Sequence, residues 1–176
     1  MQYQNLDTGK RMLEEAAPKV QEARIVGGPS GKYLQVQREV DGPTLAGVRV
    51  ERVRTSVNDR RVLVVAFDAD SPPGTLGYAV VVRPGCTVGD HYHQRREERI
   101  ILLSGRATFR LQDMRPDSGT NGLINLFHVS DPGVSVVIPI GVAHSILAEG
   151  GTAVLQVLAS TDYDPQDDTH VEFMGH

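Results

Sequence analysis

The chain has no tryptophan, a single cysteine, and only three lysines among its 18 basic residues. One cysteine, Cys86, excludes an intrachain disulfide framework and fits a reducing, cytoplasmic setting. No stretch approaches the roughly 20 apolar residues that a membrane-spanning helix needs, so a soluble protein with no membrane partner is expected. Residues 1–24 mix Lys, Glu and Ala and carry no charged-then-apolar leader. With a net charge of −4 and no basic block longer than Arg95-Arg96, nucleic acid is not an expected partner. A small-molecule substrate is. The 15 arginines would suit diphosphate recognition, but a general preference for Arg over Lys gives the same count.

At 176 residues the chain can bury one full core and hardly two. Met12, Leu13, Ala16, Ala17, Val20 and Ala23 lie near helical spacing and predict a helix from Thr8 to Arg24, kinked or broken at Pro18. Gly27 to Gly31 reads as a loop. The division expected is an N-terminal arm over 1–31 and one domain over 32–176, including a C-terminal tail. From Tyr33 onward the pattern is β. Short alternating runs are separated by turn residues at Asp41-Gly42-Pro43, Asn58-Asp59, Ser71 to Gly74 and residues 114–122. Gly47 to Ser56 alternates with one slip, read as a bulge, and Arg60 to Phe67 looks like a buried strand. Some ten short strands predict an all-β barrel or sandwich.

The chemistry concentrates in two stretches. In the first, Gly85 to Gly105, His91 and His93 are two apart, so on a strand both imidazoles leave one face. Glu98 then opens an apolar run from Ile100 to Leu103. Glu98 would share its face with Ile100 and Leu102, whereas Glu97 would share its face with Arg99. Glu98 is therefore the interior carboxylate and Glu97 a rim residue. In the second stretch, Pro139-Ile140-Gly141 turns the chain and His144 follows. Three histidines and a carboxylate, His91, His93, Glu98 and His144, form a donor set for a divalent transition metal such as zinc, nickel, manganese or iron. His128 reads as an ordinary strand histidine, and His170 and His176 as solvated. Cys86 has no base beside it and reads as inert packing.

The spacing G-x5-H-x-H-x4-E-x6-G from Gly85 to Gly105, followed by G-x5-P-x-G-x2-H from Gly133 to His144, resembles the paired signature of the cupin superfamily. It departs at the last place of the second half, where the usual asparagine is Ala148. The resemblance implies an all-β, double-stranded β-helix (cupin jelly-roll) barrel, here with a short N-terminal helical arm. Dimerisation through N-terminal strands is common in such barrels, so residues 32–56 are expected to build a homodimer.

Two groups of cupins resemble this chain more narrowly. Asp113 to Gly122, Ile138 to His144 and Thr161 to Pro165 are similar to stretches of the dTDP-sugar 3,5-epimerases. Those enzymes use a His base and a Tyr acid without metal. The base position falls on His91, but the Tyr position falls on Val157, and their Gln two places after the base is His93 here. The segment His91-Tyr92-His93 through Glu98 to Gly105 resembles the metal-binding cupin domain of bifunctional capsule-sugar epimerase/reductase enzymes. The expectation is a metal-dependent epimerase or isomerase acting next to a carbonyl of a nucleotide-linked keto-sugar. A cupin oxygenase or cyclase of secondary metabolism, and a non-catalytic small-molecule-binding cupin, are the alternatives. The metal, for which the capsule-sugar resemblance puts zinc first, would polarise the carbonyl, with Glu97, Tyr78 and Tyr92 as candidate proton carriers. Arg54, Arg83 and Arg110 could meet a diphosphate.

Overall fold

A computed structural model describes residues 20–25, 34–39, 44–67 and 74–173. Fourteen strands are present: β1 (Val20–Ile25), β2 (Leu34–Glu39), β3 (Arg49–Arg52), β4 (Thr55–Asn58), β5 (Arg61–Val64), β6 (Leu76–Val82) and β7 (Thr87–His93). They continue with β8 (Glu98–Ser104), β9 (Ala107–Asp113), β10 (Ile124–Val129), β11 (Val134–Ile138), β12 (Val142–Ala148), β13 (Ala153–Ala159) and β14 (Asp168–His170). Strands β1-β2-β10-β9-β12-β7-β14 form one sheet, β3-β11-β8-β13-β6 a second, and β4-β5 a separate hairpin. Every pairing is antiparallel. The two large sheets pack as a jelly roll, the architecture that the strand pattern and the paired signature implied.

Period-2 alternation explains which residues fill the gap between the sheets. Ala107, Phe109 and Leu111 of β9 point inward with Ile146 and Ala148 of β12. Facing them are Ile100 and Leu102 of β8, Val134, Val136 and Ile138 of β11, and Leu155 and Val157 of β13. Phe109, Leu111 and Leu102 have no exposed surface; each such side chain stabilises the fold by roughly 1.5–3 kcal/mol. After β8 the chain reverses at Gly105, where φ is +86° and a Cβ would lie 2.2 Å from the Thr152 carbonyl oxygen. Only glycine fits there.

Three expectations fail locally. The helix predicted over Thr8 to Arg24 is not found where it can be followed, because Val20–Ile25 is strand β1, paired along its whole length with β2. Pro18 interrupts the helical pattern just before it, and ladder pairing satisfies the backbone that a short helix would leave open. The remainder of that stretch and the Gly27–Gly31 loop lie outside the described residues. The segment from Arg60 to Phe67 is also not buried: Val62, Leu63 and Phe67 are 48%, 37% and 59% exposed. The slip in the alternation between Gly47 and Ser56 is a break rather than a bulge. It separates β3, at the edge of the second sheet, from β4 of the hairpin.

Candidate active site

The two histidines of β7 and the one on β12 come together because β7 and β12 are neighbours in the larger sheet, with His91 and His144 as direct cross-strand partners. One ring nitrogen from each of His91, His93 and His144 lies within 4.8 Å of the others. The ring centroids are 4.7, 4.7 and 5.6 Å apart. From the opposite sheet, Glu98 at the start of β8 reaches across. Its Oε1 is 3.5 Å from His93 Nε2, and its Oε2 is 3.5 Å from His144 Nε2. His93, Glu98 and His144 are each 3% exposed, and His91 is half-buried. All four residues of the sequence-predicted donor set are thus gathered between the sheets.

The pairing of β7 with β12 contains an irregularity that places His91. Ile146 opposes Val88 and Ser145 opposes Gly89, but His144 opposes His91, so Asp90 is an extra residue. Gly89 and Asp90 both have positive φ, +98° and +58°, and the extra residue makes this a β-bulge. Directly opposed side chains share a face, so Val88 points inward with Ile146 and His91 points inward with His144. Without the bulge, alternation would send one of them out. A Cβ on Gly89 would sit 2.7 Å from the His144 carbonyl oxygen and 3.2 Å from its ring Cδ2. Gly89→Ala should therefore destabilise the fold by ~2 kcal/mol, through the strained backbone and the approach to His144 together. Thermal unfolding should show a midpoint lower by roughly 4–8 °C. An unchanged midpoint would mean that the bulge yields freely.

Burial favours the neutral form of two of the imidazoles, His91 and His144. It pulls His144 down to about 4, and it lowers His91 with help from neighbouring His93. Their lone pairs are therefore free at neutral pH. Burial alone would raise the Glu98 carboxyl, but His93, His144 and Arg96 around it outweigh this and hold it at about 2. Arg96 was not anticipated from sequence. It is 3% exposed, lies 3.7 Å from Glu98 through Nη1, and donates from Nη2 to the Asp162 carbonyl. The interior carboxylate thus already has a cation beside it.

Of the three candidate proton carriers, the structure brings in one. Tyr78 on β6 donates from its hydroxyl to Glu98 Oε1 at 3.2 Å. Burial and the Glu98 charge push its phenol well above the ordinary range, so it is protonated at neutral pH. Glu97 is not at the histidines: just before β8, it lines a small cavity with Arg99, Val137 and Leu158 on the outward side of the sheet. Tyr92 alternates with His91 and His93 and so leaves the other side of β7, opposite Thr169. Arg110 is on the outer side of β9, its guanidinium 5.0 Å from the centre of the Phe173 ring, and Arg54 and Arg83 are exposed. Cys86, read as packing, is exposed. His128 lies outside the cluster, bonded to Thr108 and Glu149.

The C-terminal segment, expected only as a tail of the domain, also reaches the site. Asp167 is buried and accepts the backbone N–H groups of Gln94 and Arg95 at 2.9 and 3.0 Å. Asp168 begins β14 directly opposite His93. Nothing in the local pattern marks either residue. Gly89 did carry a signal, since a glycine inside a strand suggests a bulge or a close backbone approach.

Residues 58–170, more than half of the chain, match the family described as "Polysaccharide biosynthesis C-terminal domain". The spore coat polysaccharide biosynthesis protein SpsL of Bacillus subtilis (strain 168) is 31% identical over 84 residues, 47% of this chain and 56% of that protein. The chain thus matches little more than half the length of this curated relative. Among solved structures, a dTDP-4-dehydrorhamnose 3,5-epimerase from Bacillus anthracis superposes with a TM-score of 0.66 at 15% identity, covering 78% of this chain and 85% of that one. QdtA, a sugar 3,4-ketoisomerase from Thermoanaerobacterium thermosaccharolyticum, superposes at 0.58 with 26% identity, covering 71% and 88%. The barrel is a cupin fold, and the chain belongs to the polysaccharide biosynthesis C-terminal domain family.

Proposed function

We propose that this protein is a metal-dependent epimerase or isomerase that moves a proton at the carbon next to the carbonyl of a nucleotide-linked keto-sugar. The observation that carries this reading is the meeting of three imidazoles from one sheet with a carboxylate and a phenol from the other. The donor set fits a divalent transition metal, zinc first. Both ring nitrogens of His93 and Nδ1 of His144 are buried without an in-line hydrogen-bond partner among the described residues. His91, His93, His144 and Glu98 would hold the ion. When bound, it would polarise the substrate carbonyl and stabilise the charge that develops as the α-proton leaves. The likeness of the His91 to Gly105 segment to the cupin domain of capsule-sugar enzymes supports the metal. The names of SpsL, the epimerase and QdtA support the substrate class.

The chain's own part is to set the keto-sugar against the histidines and to present a proton. Tyr78 is suited to this, being protonated, 37% exposed and anchored on Glu98. Incubation with dTDP- or UDP-linked keto-sugars in D2O should place deuterium at the carbon beside the carbonyl. Absence of uptake at every sugar carbon would count against the reading.

One observation favours a second, metal-free reading. Tyr78 is the direct cross-strand partner of Val157, the position on which the tyrosine acid of the 3,5-epimerases falls. Tyr78 could then be the acid opposite a His91 base, with Arg96 serving as the counter-charge of Glu98. A strong chelator separates the two: deuterium uptake that stops with chelation and returns with zinc belongs to the metal reading, and uptake that persists belongs to the other.

A further inference from the structure

We infer that Asp168 is the positioning residue for His93, fixing which ring nitrogen carries the proton so that Nε2 keeps its lone pair toward Glu98 and the other histidines. This rests on the metal reading above for its consequence, but not for its geometry. Asp168 Oδ1 lies 3.1 Å from His93 Nδ1. Both atoms are buried, and neither has an in-line hydrogen-bond partner among the described residues. The other carboxylate near Nδ1, Asp167, is 3.8 Å away and already committed to the Gln94 and Arg95 N–H groups.

The placement of Asp168 is enforced from both sides. Upstream, Asp167 caps the turn that follows β7, and Asp164 pairs with the Arg95 guanidinium. Downstream, Val171 N–H donates to the Asp90 carbonyl at 2.8 Å, and Phe173 stacks against Arg110. Between these anchors Asp168 has little choice but to face His93, its Cα partner in the β14–β7 ladder. A proton on Nδ1, donated to a carboxylate, leaves Nε2 unprotonated. That nitrogen is the one 3.5 Å from Glu98 Oε1. Carboxylates in this relation to a ligating histidine orient the ring and raise its basicity, and their loss typically costs ~10–100-fold in metal affinity.

The test is long-range 15N–1H NMR of the histidine rings in the full chain, with and without added zinc, alongside zinc affinity by chelator competition. The wild-type protein should show His93 protonated at Nδ1. In Asp168→Asn the amide can present its NH2 group to Nδ1. The ring proton should then shift to Nε2, and zinc affinity should fall ~10–100-fold with the unfolding midpoint nearly unchanged. A wild-type His93 protonated at Nε2, or an Asp168→Asn protein with the wild-type nitrogen shifts and zinc affinity, overturns the inference. If the wild type binds no zinc, the metal reading fails instead, while the ring shifts still decide whether Asp168 pairs with His93.

Discussion

Replacing His144 by alanine should remove bound divalent metal and turnover together. Metal content by elemental analysis should drop from near one equivalent to near zero, and deuterium uptake into a keto-sugar should fall roughly a thousandfold or more, since metal polarisation of a carbonyl is worth several kcal/mol. His144 is central because it meets all the other groups and is as buried as any of them: its ring lies 4.7 Å from that of His91 and 5.6 Å from that of His93, and its Nε2 faces Glu98. His91→Ala and His93→Ala should deplete metal too. His128→Ala should not, because its imidazole is one-third exposed and engaged with Thr108 and Glu149 away from the cluster. A His144→Ala protein that keeps its full metal complement would place the ion elsewhere, and one that keeps its turnover would favour chemistry without His144.

The reason so much of this site could be read from residues alone is that its donors lie in short, local patterns. His91 and His93 declare one face of a strand by being two apart. The apolar phase of Ile100 and Leu102 chose Glu98 over Glu97, and Glu98 is the carboxylate that reaches the imidazoles. His144 follows a Pro-x-Gly turn that ends one inner strand and starts the next. What stayed hidden depends on contacts between distant segments. Arg96 is two residues from Glu98, yet its burial arises from the Asp162 carbonyl 66 residues later. Asp168 matters only because β14 returns to pair with β7, and an acidic turn-rich stretch gives no hint of that register. Hydropathy misread Val62 and Leu63 for a related reason. Alternation reports that a strand has an apolar side, but the hairpin β4-β5 has no sheet to lay that side against within the described residues.

Replacing Asp113 by alanine should be the most damaging single change outside the histidine cluster. Its carboxylate, with no exposed surface, accepts five hydrogen bonds. Oδ1 takes Arg115 N and Nε at 3.0 and 2.8 Å; Oδ2 takes Arg115 Nη2 at 2.7 Å and the Ser118 and Thr120 hydroxyls at 2.6 Å. Truncation strands all of these donors. Breaking a buried ion pair costs about 3–5 kcal/mol, and the lower end applies because Arg115 is 30% exposed and partly resolvated. The unfolding midpoint should fall by roughly 6–12 °C. Acid stability gives the sharper reading. Burial alone would raise the Asp113 carboxyl, but Arg115, Ser118 and Thr120 hold it well below the usual carboxylate range. A group depressed in the folded state stabilises fully above its unfolded value, about 3.9, and loses that contribution as pH falls through its folded value. Melting curves of wild type and Asp113→Asn should therefore converge on acidification below about pH 4 and separate above it; parallel curves would refute the assignment. The same loop braces the site from outside. Met114 N–H donates to the Gly141 carbonyl, and Gly141 N–H donates to the His93 carbonyl at 2.8 Å. At low temperature, where the Asp113→Ala protein is still folded, it should nonetheless retain its metal, in contrast to His144→Ala. Damage to the brace and damage to the donors are then told apart by the same elemental analysis.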